Sequence, residues 1–93
     1  MKIVKEFIKR DIAGEALLVP TGQTAQEFNG MISLSEVGSF IWDHLEESQN
    51  LDHLLDMITA EYDIDRTTAQ TDAMAFIMQL LRNGMVRPES DSW

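Results

Sequence analysis

The sequence predicts an α+β domain, an N-terminal three-stranded antiparallel β-sheet followed by a three-helix bundle. Three observations lead there. Two runs rich in β-branched and apolar residues, 3–12 (IVKEFIKRDI) and 15–19 (EALLV), flank the turn residues Ala13-Gly14. A short apolar run, Met31-Ile32-Ser33-Leu34, follows Asn29-Gly30. From Ser35 onward, apolar residues recur three and four apart, the period of a helix, in three successive segments.

The first two runs read as a β-hairpin. Pro20-Thr21-Gly22 breaks its second strand, and a polar loop leads to the third strand at Met31, expected at a sheet edge. Ser35 is placed to cap the first helix, whose buried stripe is Val37, Phe40, Ile41 and Leu45, with Trp42 at its flank. Asn50 caps the second, where Leu51, Leu54, Leu55 and Ile58 repeat the pattern and Asp52 suits the positive end of the helix dipole. Tyr62-Asp63-Ile64 connects it to the third. That helix starts at Asp65 and runs to about Arg82; Gly84 ends it in a left-handed cap and Pro88 prevents a restart. Residues 1–87 form one domain, and Pro88 to Trp93 reads as a flexible tail.

The third helix has an unusual composition. Between Thr67 and Leu81 its only charge is Asp72, and Ala69, Ala73, Phe76, Ile77 and Leu80 already supply a full core-facing stripe. At 100° per residue Gln70, Met74, Ile77 and Leu81 make a second row beside that stripe, with Met78 just beyond it. A small domain has too little mass to bury a helix all round, so either extra core beneath the hairpin or an outside partner covers this row. Methionine suits a partner surface, because its flexible thioether adapts to varied shapes.

Composition excludes several classes of function. With no cysteine among 93 residues there is no disulfide, thiolate nucleophile or cysteine-held metal cluster in this chain. No apolar run reaches the roughly 18 residues of a membrane span, and the opening lacks the apolar core of a secretion signal, so a cytoplasmic location without membrane contact is expected. The net charge of −9 repels a phosphate backbone; Lys2, Lys5, Lys9 and Arg10 open the chain, and no further basic residue occurs before Arg66. Nucleic acid is therefore not the expected partner. The second and third helices do read as a helix-turn-helix, which keeps a winged-helix DNA-binding regulator as an alternative, but the third helix offers only Arg66, Gln70, Gln79 and Arg82 around an apolar middle. A structural homodimer, sealing the second row against itself, is another.

No cofactor or metal site is expected. His44 and His53 lie nine residues apart on different helices, without compact ligand spacing. Glu46-Glu47 and the Asp63/Asp65 pair lack an enclosing pocket, and neither a glycine-rich phosphate loop nor a nucleophile triad is present. The chain reads as a binding domain without catalysis of its own. The carboxylates of the first two helices are mainly a solvated face; Glu36, Asp43, Glu46 and Glu47 would double as a docking surface for a basic partner.

The order of hairpin, third strand and three helices resembles the PqqD family, the peptide-recognition proteins of pyrroloquinoline quinone biosynthesis and related peptide-modification pathways. The residues that carry the likeness are Gly30 to Leu34 leading into the first helix, Ile41-Trp42 with Leu45, the run from Tyr62-Asp63-Ile64 through Asp72, and Phe76, Leu80, Gly84 and Val86. It spans residues 6–87. Two departures are Leu34-Ser35, where the family commonly has Leu-Asn, and the stretch Glu46 to Gln49, which lacks the usual glycine.

The resemblance implies a winged-helix-like fold and a non-catalytic chaperone. Such a protein binds the leader of a ribosomally made precursor peptide by strand addition and presents it to a radical S-adenosylmethionine enzyme. Carried onto this sequence, the leader pairs with Met31, Ile32 and Ser33 and lies against Gln70, Met74, Ile77, Met78 and Leu81 of the third helix. An unpaired strand edge beside an apolar helical row is also what strand addition requires physically: main-chain partners along the edge and pockets for side chains.

Overall fold

A computed structural model describes residues 1–89 and 93. The hairpin forms as its turn residues require. Strands β2 (Phe7–Ile12) and β3 (Glu15–Pro20) pair antiparallel from Phe7↔Pro20 to Ile12↔Glu15, closed by Ala13 and Gly14 at φ of 54° and 84°. A two-residue turn with both φ positive matches the twist of the flanking strands, and glycine at its second position takes up that conformation without strain.

The third predicted strand forms over Ile32–Leu34; with β1 taken as Lys2–Ile3, it is β4. It pairs antiparallel with β3, Leu18↔Ile32 to Ala16↔Leu34, giving the order β2-β3-β4. The predicted first strand is split: Lys2–Ile3 leaves the hairpin and pairs with β5 (Val86–Arg87), and the Val4 amide donates to the Met85 carbonyl at 2.8 Å. Continuous β-forming residues concealed the break. At the break the Glu6 amide donates to the Thr24 hydroxyl at 3.0 Å, where α1 (Thr24–Glu27), one helical turn inside the predicted loop, docks with Thr24 buried.

The three predicted helices are α2 (Glu36–His44), α3 (Leu51–Glu61) and α4 (Arg66–Arg82). Ser35, Asn50 and Asp65 cap them, each side chain accepting from the backbone amide three residues on, so each helix begins where its polar residue predicts. Bonds from the amide and hydroxyl of Thr68 hold the Asp65 carboxyl below its ordinary range. Gly84, at φ 65°, ends α4, as a residue without a Cβ can. Arg66 ties α4 to α3 through Asp52 and Asp56.

The core lies between the inner face of the sheet and the helices: Leu18, Ile41, Leu45, Leu54, Leu55, Ile58, Leu80 and Met85 are fully buried. Trp42, expected at a flank, is core as well at 8% exposure, with Phe7 of the hairpin edge-on to it at 6.4 Å. The predicted tail extends over residues 90–92, outside the described residues; Trp93 packs half-buried against the core cluster. Among the described residues no helix is long and apolar enough to cross a membrane.

Candidate functional site: the free edge of β4

β4 carries two different surfaces. Its alternation turns Ile32 inward, 7% exposed, and leaves Ser33 and the preceding Met31 exposed. One side of the strand pairs with β3; among the described residues no strand pairs with the other. That margin offers main-chain donors and acceptors to an extended chain, held in place by Ile32 in the core.

Beside the margin runs an open groove of about 390 Å³, lined by Ser33 and Ser35 on one wall and by Asp72, Ala75, Phe76 and Gln79 of α4 on the other. The helical residues are spaced i, i+3, i+4 and i+7, so they occupy one face. Gly38 of α2 lies beside that face: a Cβ there would crowd the Ser35 hydroxyl at 3.2 Å and make an ordinary contact with the Phe76 ring at 3.8 Å. The small Ala75 keeps the groove open, Phe76 gives it an apolar floor, and Asp72 is its single carboxylate.

The structure separates the two halves of the predicted site. Met31, Ile32 and Ser33 stand at the β4 margin, but Met74, Ile77, Met78 and Leu81 lie on the opposite flank of α4, around a separate apolar cavity of about 190 Å³. Leu51 lines it from α3, and Met1, Pro88 and Trp93 partly cover it. Ile77 is core, 4% exposed; Met74 and Met78 are 39% and 40% exposed; Gln70 is exposed and lines neither concavity. The physical reason is angular: both flanks sit about 100° from the core stripe, and helical periodicity does not say on which of them the strand lies. The greasier flank attracted the prediction, whereas the flank along β4 is the mixed one. Its sequence signal was Asp72, the lone charge of the run, in register with Ala75 and Gln79.

The predicted acidic docking residues are exposed but largely engaged. Asp43 pairs with Lys9, Glu47 meets His44, and Glu46 accepts from the Ile3 amide at 3.1 Å; Glu36 has no ion-pair partner among the described residues. Glu36 and Asp43 join Asp11, Glu15, Phe40 and Tyr62 around a larger concavity of about 500 Å³ near the hairpin turn. Partial burial, with the nearby Glu36 and Glu61 carboxylates, pushes the Tyr62 phenol above its ordinary range, so it stays a neutral hydroxyl at physiological pH. Among the described residues no three His, Asp or Glu side chains gather in a metal-binding cluster.

The family model for Coenzyme PQQ synthesis protein D (PqqD) matches residues 15–86, from the second hairpin strand to β5. The chain belongs to the PqqD family. A solved structure of TbiB1 in complex with the TbiA(beta) leader peptide is similar to this PqqD-family chain at 31% identity, with a TM-score of 0.70 over 98% of this chain and 100% of that one. No curated protein matches it significantly. The likeness covers the three-stranded sheet and its helices together, so the α+β architecture of this PqqD-family chain is that of its solved neighbour.

Proposed function

We propose that this protein is a non-catalytic recognition element that binds the leader segment of a ribosomally made precursor peptide as an added strand on β4 and presents it to the enzyme that modifies it. The observation that carries this reading is the unpaired margin of β4 lying along an open, mixed groove on α4. The similarity to TbiB1, whose solved structure holds a leader peptide, supports it. The resemblance to PqqD proteins supplies the further expectation that the modifying enzyme is a radical S-adenosylmethionine enzyme and the process cytoplasmic.

The groove divides the work of recognition. Hydrogen bonds to the backbone of Met31, Ile32 and Ser33 are sequence-independent and supply affinity; side chains of the leader facing Ala75 and Phe76 require small or apolar chemistry, and Asp72 and Gln79 favour a donor at the groove margin. About four new backbone hydrogen bonds at a net ~1 kcal/mol each and two buried apolar side chains at ~2 kcal/mol each give roughly 8 kcal/mol. Ordering a free peptide removes ~2–5 kcal/mol, and lost translational freedom removes more. The remainder, about 3–6 kcal/mol or less, corresponds to a Kd no tighter than about 40 μM, so tighter binding requires contacts beyond these. The nucleic-acid alternative loses support, because Arg66, at the start of α4, is neutralised between Asp52 and Asp56.

Calorimetry with the leader of the precursor encoded beside this gene tests the reading. Saturable binding is expected, and Ala75→Arg, an exposed helical position whose long side chain fills the groove, should weaken it tenfold or more with the fold intact by circular dichroism. Met78→Asp, on the other flank, should leave the affinity within about twofold. A flat titration, or loss of affinity with Met78→Asp alone, places the site elsewhere.

A further inference from the structure

The sheet has two free margins, and they are built differently. In the order β2-β3-β4 the strand at the other end, β2, also pairs on one side only among the described residues. Ile12 and Glu15 flank a two-residue turn, so they exchange main-chain bonds. By alternation Ile8 and Arg10 also bond to β3, while the main-chain groups of Phe7, Lys9 and Asp11 point outward. On its other side β3 bonds to Ile32 and Leu34, which leaves Ser33, and Met31 before it, facing outward at β4. By main chain alone β2 is the longer acceptor, six residues against three.

The side chains differ in the opposite sense. Phe7, Lys9 and Asp11 turn their side chains to the inner side of the sheet, beside which half of the side chains of an added strand would lie. Phe7 packs on the core cluster, but Lys9 and Asp11 are charged. The Lys9 ammonium donates to the Ser39 hydroxyl of α2 at 2.8 Å and pairs with Asp43, the two ions' side chains being 27% and 45% exposed. The helix under this margin thus carries an ion pair, where α4 lines the β4 margin with Ala75 and Phe76. A strand added to β2 would take water from both ions and return no bond to either. An inward-turned charge on an edge strand opposes further pairing in this way.

We infer that Lys9, held by Ser39 and Asp43, closes the β2 margin and makes strand addition one-sided: the leader enters at β4 because the longer edge is barred. The inference rests on strand addition at β4 and adds the residue that selects the edge. Lys9 does so without touching the bound leader. The same barrier keeps two copies from joining β2 to β2, a pairing that the two-fold symmetry of antiparallel strands otherwise permits.

The test uses the intact protein and the leader of the neighbouring precursor. Lys9→Thr removes the charge and keeps a strand-forming residue; Lys9→Gln removes it with an amide that can still reach Ser39, which guards against loss of fold; Lys9→Arg keeps it. Wild type and Lys9→Arg should be monomeric by light scattering, bind one leader per chain by calorimetry and exchange amides 7, 9 and 11 rapidly. The two neutral variants should bind the first leader within about twofold of wild type and then open the second edge. That opening reads as two leaders per chain or as a concentration-dependent dimer, with exchange at 7, 9 and 11 slowed at least tenfold. In the two-leader case, adding Ala75→Arg, which fills the groove of α4, should leave one leader per chain, now at β2. One leader per chain, no dimer and unchanged exchange in the folded neutral variants overturn the inference and leave strand addition at β4 standing. Two leaders per wild-type chain overturn it as well. If the wild type binds no leader, strand addition fails, and dimerisation with slowed exchange in the neutral variants decides the barrier by itself.

Discussion

At the scale of single residues, the protein places ordinary side chains where their neighbours decide their behaviour. Tyr62 is the only tyrosine, and burial together with the Glu36 and Glu61 carboxylates disfavours its phenolate. An ultraviolet titration should therefore show one phenolate transition, lying above the ordinary tyrosine value of about 10. Because the folded pKa is raised, the stability it contributes is complete below the unfolded value and lost as pH rises through the folded one. A transition at or below the ordinary value would mean that Tyr62 is neither desolvated nor held near the Glu36 and Glu61 carboxylates. The Tyr62 ring stacks edge-on to Phe40 at 5.5 Å, so the same residue also joins α2 to the segment before α4.

At the scale of elements, the three longer helices were legible in detail, the single turn of α1 was not, and the strands were legible only in part. Each of these three helix starts carries a polar residue followed by an apolar stripe, local signals acting within one turn, and Ser35, Asn50 and Asp65 all cap as their positions imply. Strand β4 was legible by its punctuation, Gly30 before it and Ser35 after it. The pairing of β1 with β5 was not, because it joins residues more than eighty apart in sequence and neither segment has a pattern of its own. The packing of α4 on α2 was also hidden. Gly38 lies at that contact, where a Cβ would crowd the Ser35 cap and just touch Phe76. Gly38→Val should force these apart and destabilise the protein by about 1–3 kcal/mol in urea denaturation, despite the better helix propensity of valine over glycine. Unchanged or increased stability would show that α2 and α4 have room to spare at the groove.

At the scale of the whole molecule, one sheet has an inner face on the core and, at β4, the open edge to which the proposed function assigns the leader. If the leader adds to β4, it binds the folded state alone, and at a hundredfold excess over Kd it should stabilise the protein by about 2.7 kcal/mol. For a domain of this size that is an upward shift of about 10 °C or more in Tm, and main-chain pairing makes it weakly dependent on salt. Hydrogen exchange should slow along 31–34 in the same experiment. A Tm that stays constant with leader, or protection confined to the Met74–Leu81 flank, would rule out the β4 margin.

The amino-acid sequence by itself determined the class of fold, the helix limits, the edge position of the third strand and the family resemblance, since all of these arise from neighbours in the chain or from periods that a single element displays. Tertiary structure alone decided which flank of α4 faces β4, that Trp42 is core, and that the methionine flank meets Trp93 rather than the strand. The reason is geometric. Periodicity fixes the angle between two rows on one helix, but the rotation of that helix against a sheet follows from the packing of the whole core at once.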